Sequence, residues 1–67
     1  MNENWEKVYT SAIEHRVEIV KAVLKDNEID AVSINKKDRS YLFGEIELYV
    51  HADHVIKAMS IINKENL

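Results

Sequence analysis

Cysteine is absent from the 67 residues, which removes disulfides and thiolate metal sites together. Proline is absent too, and glycine occurs once, at Gly44, so no glycine-rich phosphate loop can be built. No apolar run approaches the roughly 18 residues of a membrane span. The opening Met1-Asn2-Glu3-Asn4 has neither the basic nor the apolar region of a secretory leader. Positive charge is also in short supply. Nine basic residues stand against twelve acidic ones, a net charge of −3, whereas a nucleic-acid binder needs a basic stripe to displace counterions. These absences set the expectations of a cytoplasmic protein with no membrane and no nucleic-acid partner.

What is present is enough apolar residue, 46% of the chain, for a folded domain rather than a disordered one. The length allows one domain, expected over residues 5–64, with a disordered start at 1–4 and a short tail at 65–67. A core this small sits near the limit of stability, and self-association is one way to supplement it.

Periodicity divides the chain into five elements. Trp5-Glu6-Lys7-Val8-Tyr9-Thr10 is rich in strand formers, and alternation sets Trp5, Lys7 and Tyr9 opposite Glu6, Val8 and Thr10. Ser11 and Glu14 fit a capping box that opens a helix running to Asp26. Ile13, Val17, Val20 and Leu24 form its apolar stripe, and Asn27 is the expected left-handed stop. Residues 29–35 form a second strand. Either of its faces can point inward, and Val32 with Ile34 is the preferred pair. After a connection over 35–44, residues 45–50 alternate cleanly, with Ile46, Leu48 and Val50 inward. Asp53 can cap a second helix over 54–64 whose stripe is Val55, Ala58, Met59 and Ile62, with Ile61 beside it.

The order βαββα makes an α+β fold. Two amphipathic helices must bury their stripes on one face of a three-stranded sheet, with strand three central and a right-handed crossover from strand one. This is a ferredoxin-like split βαβ arrangement without its last strand. The uncovered face is expected to show Trp5, Tyr9 and Tyr49 among Lys7, Glu45 and Glu47.

Several stretches resemble a family of short bacterial proteins of unknown function labelled as prokaryotic signal-transducing proteins. They are the opening W-E-K-V-Y-T, then N-E-I-D-A-V-S-I-N, then K-K-D-R-S-Y-L-F-G-E-I-E-L-Y-V, and the closing K-A-M-S-I-I. The resemblance runs from about Trp5 to Lys64. It implies a distant likeness to the nitrogen-regulatory P-II proteins, in which a long loop between strands two and three contacts partners and senses small molecules. The corresponding stretch here, residues 35–44, is far shorter, and no P-II phosphate-binding residues can be matched, so nucleotide sensing does not carry over.

That connection holds Lys36, Lys37 and Arg39, followed by Tyr41, Leu42 and Phe43. One reading is a docking loop whose basic groups steer an acidic protein or small anionic ligand while the aromatics anchor it. The other is that Leu42 or Phe43 folds back to plug the core. The face bearing Trp5, Tyr9 and Tyr49 fits a homodimer interface, or simply amphipathic aromatics in water. Base stacking there is opposed by Glu45, Glu47 and the net charge. His51 and His54 flank Asp53, but a metal would need a third ligand, and none is expected. Ser11 and Ser40 have no recognisable base, and His15 has no nucleophile near it. The expectation is therefore a non-enzymatic regulatory or interaction domain without a cofactor, with a structural homodimerisation module as one alternative and a weak metal-binding or enzymatic role as another.

Overall fold

The computed structural model describes residues 4–37 and 44–67. Strand β1 is Trp5–Ser11, helix α1 Glu14–Asp26, strand β2 Ala31–Asn35, strand β3 Ile46–His51 and helix α2 Val55–Lys64. A single 3-10 turn at Ala52–His54 precedes α2. The sheet order is β1-β3-β2, with both outer strands antiparallel to β3. This is the expected α+β architecture, with β3 in the middle.

The core lies between the sheet and the two helices. Ile46, Leu48 and Val50 of β3 meet Val17, Val20 and Leu24 of α1 and Ala58 of α2, with Val8 and Ile29 completing the cluster. The alternation of β3 is confirmed residue by residue, because a central strand covered on one face buries every second side chain. In α2 the stripe is rotated from the expected one. Val55, Ile61 and Ile62 pack on the core beside Ala58, while Met59 is half exposed.

The chief departure is in β1. Lys7 pairs with Tyr49, but the next pair is Tyr9 with Leu48, so Val8 is an extra residue in a β-bulge. Side chains along a strand alternate with a period of two, so one inserted residue reverses the facing of all that follow. Tyr9 consequently shares the helix side with Leu48 and packs against the core, and Thr10 shares the open side with Glu47. The expectation that Tyr9 lies on the open face with Trp5 and Tyr49 is corrected on this ground.

Strand β2 is likewise reversed from its preferred facing. Ala31 pairs with Val50 and Ser33 with Leu48, on the helix side, whereas Val32 pairs with Tyr49 and Ile34 with Glu47, on the open side. Val32 is 45% exposed. The buried apolar residue this segment supplies is Ile29, just before the strand. With Ile29 filling that role, two small residues suffice beneath α1.

The helix ends also differ in detail. Ser11 belongs to β1, and its Oγ accepts from the Ile13 N–H at 3.0 Å, a local turn in place of a capping box. Helix α1 then starts at Glu14, with Ile13 as its cap residue. At the other end Asn27 stops the helix, but the left-handed conformation falls on Glu28 (φ 63°). The Ile29 N–H donates to the Leu24 carbonyl and the Glu28 N–H to that of Lys25, both at 2.9 Å. These are the two bonds of a Schellman motif, and the hydrophobic pair that accompanies it is the buried Ile29 and Leu24. Helix α2 closes in the same way, with Asn66 left-handed (φ 59°) and Leu67 N–H bonded to the Ile62 carbonyl at 3.0 Å. Leu67 is thereby folded onto the core.

Asp53 does not cap α2. Its own N–H is accepted by His51 Nδ1 at 3.1 Å, and His54 occupies the α2 cap position without a side-chain bond.

Candidate functional site

All three strands reach one end of the sheet, where Ser11 pairs with Ile46 and Ile46 with Asn35. The connection between β2 and β3 leaves from there, and its two ends are tied together. The Lys36 N–H donates to the Glu45 carbonyl at 3.0 Å, one step beyond the ladder, and the Lys37 N–H is accepted by Asn35 Oδ1 at 2.8 Å.

Gly44 closes this neck. Its φ is +100°, and a Cβ added there would stand 2.6 Å from the Lys36 carbonyl oxygen. Only glycine lets the two backbones approach so closely. The neck presents Lys36 as exposed and Lys37 as half-buried, and neither closes an ion pair among the described residues. Of the other residues expected in the docking loop, Arg39, Tyr41 and Phe43 lie outside the described residues, as does Leu42 with the core-plugging alternative.

The open sheet face adjoins the neck. Trp5, Lys7 and Thr10 of β1, Glu47, Tyr49 and His51 of β3, and Val32 and Ile34 of β2 share it through their pairing. Trp5 and Tyr49 are where the sequence places them. Val32 and Ile34 were missed, because the expected strand over 29–35 alternates equally well on either face and they were the preferred inward pair.

At the middle of this face Glu47 is held from two sides. Tyr49 Oη donates to its Oε1 at 2.7 Å, and Lys7 Nζ lies 3.6 Å from its Oε2. The phenol hydrogen bond, with the Lys7 and Lys36 charges behind it, holds the Glu47 pKa below the ordinary carboxylate value against the opposing effect of partial burial. The same bond, given by the neutral phenol, pushes the Tyr49 pKa up.

Trp5 meets His51 edge to face, with ring centroids 6.1 Å apart, and His51 meets His54 at 6.4 Å. With Nδ1 of His51 engaged at the Asp53 N–H, this imidazole serves the turn into α2. Among the described residues no group of three His, Cys, Asp or Glu side chains converges as a metal site would require. No helix among them is long and apolar enough to cross a membrane.

Residues 5–66 match the model of the family described as "Putative prokaryotic signal transducing protein". No curated protein matches the chain. Among solved structures, the type III secretion system protein EscJ of enteropathogenic E. coli superposes with a TM-score of 0.75 and 25% sequence identity. The match covers 94% of this chain and 38% of the EscJ chain, so the domain spans well under half the length of that structure.

Proposed function

This chain belongs to that signal-transducing family, and from that premise we propose that it is a non-catalytic regulatory domain that docks an acidic segment of a partner protein at the β2–β3 connection. The observation that carries the reading is the neck. The Gly44 close approach, the Lys36–Glu45 backbone bond and the Lys37 N–H bond to Asn35 fix the backbone from which the two lysines project at the sheet end. An acidic chain meeting them gains steering and charge-assisted hydrogen bonds without first ordering that part of the backbone. Arg39, Tyr41 and Phe43 follow directly in the sequence and supply further cation and aromatic anchors.

The test is titration of the intact chain with a fluorescein-labelled poly-glutamate peptide. Parent protein is expected to bind saturably, and the triple change Lys36→Glu, Lys37→Glu, Arg39→Glu to weaken binding by at least about tenfold, on the order of 1.4 kcal/mol. Equal affinity of the two proteins contradicts the reading.

A second reading, homodimerisation through the open sheet face, is favoured by one observation. Trp5, Val32, Ile34 and Tyr49 share that face, and its charged centre is already neutralised by the Lys7–Glu47 pair. Sedimentation at micromolar concentration separates the two. A dimer that Val32→Lys dissociates supports the second reading, and a strict monomer removes it.

A further inference from the structure

Helix α1 sorts its charges onto two flanks. At 3.6 residues per turn, Arg16, Ile19 and Val20 share one flank with His15 at its margin. Glu18, Lys21 and Lys25 turn to the other flank, where together with Asp30 they line a separate groove.

On the first flank a groove of about 320 Å³ opens between α1, the end of β1 and the close of α2. Its walls are His15, Arg16 and Ile19 on one side and Tyr9, Asn66 and Leu67 on the other, over buried Val20. Two features of the fold create it. The β-bulge turns Tyr9 to the helix side, and the Schellman closure of α2 folds Leu67 inward. Neither acidic residue of the first turns of α1, Glu14 or Glu18, lines it. Arg16 and His15 have no ion-pair or side-chain hydrogen-bond partner among the described residues.

A small-molecule site of this kind is a mostly apolar concavity with a few converging polar groups. Here the apolar part is Ile19, Val20 and Leu67, and the polar part is one guanidinium, one imidazole, one phenol and the Asn66 residue at the close of α2. The guanidinium presents a planar fork of donors suited to a carboxylate.

We propose that this groove binds a small amphipathic anion, with a carboxylate head on Arg16 and an apolar tail against Ile19 and Leu67. The site is separate from the β2–β3 neck and does not depend on it. It nevertheless lies towards the same end of the sheet, where Ser11, Ile46 and Asn35 form one row across the three strands.

The experiment uses n-octanoate as the probe, followed by amide and methyl shifts of the isotope-labelled chain, with n-octanol as the uncharged counterpart. Octanoate is expected to saturate, with the largest shifts at Tyr9, Arg16, Ile19 and Leu67, and to bind at least about fivefold more tightly than octanol. Arg16→Glu is expected to weaken octanoate by about tenfold or more. Lys25→Glu, the same charge change on the opposite flank of α1, should leave it within about twofold. Circular dichroism checks that both variants keep the fold. The proposal is overturned if octanoate gives no saturable shift at millimolar concentration, if octanol binds as well as octanoate, if Arg16→Glu binds like the parent, or if the shifts map elsewhere.

Discussion

Three residues carry conformations or charges that a substitution can test one at a time. Glu28 sits at φ 63°, a region that costs an L-residue roughly 1–2 kcal/mol. Glu28→Gly is expected to raise the unfolding free energy by about 1 kcal/mol, read from urea denaturation, since glycine gives back part of the gain as unfolded-chain entropy. Gly44→Ala works in the opposite direction. Its new Cβ would meet the Lys36 carbonyl at 2.6 Å, and at φ +100° the alanine is strained as well. A loss of about 2 kcal/mol, with amide shifts concentrated at Lys36 and Glu45, is the expected outcome.

Glu47 makes stability depend on pH. Its folded pKa lies below the ordinary value of 4.5, first through the Tyr49 hydrogen bond and then through Lys7 and Lys36. A carboxylate lowered in this way stabilises the fold fully above its unfolded pKa, and the contribution is lost as pH falls through the folded value. Glu47→Gln is therefore expected to be less stable than the parent near neutrality, with the gap closing once the solution is acidified past 4.5. A gap that persists unchanged down to about pH 3 would refute this linkage. Tyr49→Phe should bring the Glu47 pKa back towards its ordinary value, as measured by carbon-13 titration of the side-chain carboxyl.

At the scale of elements, the bulge at Val8 decides which residues each face presents. Substitution distinguishes it from a regular strand. Tyr9→Ala removes a ring packed on the core and should cost about 2 kcal/mol, whereas Thr10→Ala on the open side should stay within about 0.5 kcal/mol. Reversed magnitudes would mean that β1 keeps strict alternation.

The same bulge marks the limit of what could be read from residues alone. Ile46, Leu48 and Val50 were legible because a central strand covered on one face leaves a strict period of two. Val17, Val20 and Leu24 were legible because helical spacing gathers them on one stripe. Trp5 and Tyr49 were placed on the correct face by alternation within unbroken segments. Tyr9 was not, since nothing in K-V-Y announces an inserted residue. Val32 and Ile34 were not, since the inward demand at β2 is met by Ile29 just outside it. Ser11 and Asp53 looked like helix caps by residue type, but the strand and the 3-10 turn claimed them.

Taken as a whole, the molecule has one covered sheet face and one open one. The covered face holds the core. Every residue proposed to meet a partner lies at its margins or on the opposite side. Lys36 and Lys37 stand at the sheet end, Trp5, Val32, Ile34 and Tyr49 on the open face, and Arg16 in the groove beside α1. A domain built this way can be engaged without opening its core, and the proposed docking should leave the ladder of β3 with both neighbours intact.

The decisive measurement is a map of amide shifts in the isotope-labelled chain as the acidic peptide is added. The account predicts saturable shifts at Lys36, Lys37, Gly44 and Glu45 with little change at Val17, Leu24 or Leu48. Shifts centred on α2 or the α1 flank, or none at saturating peptide, would contradict it.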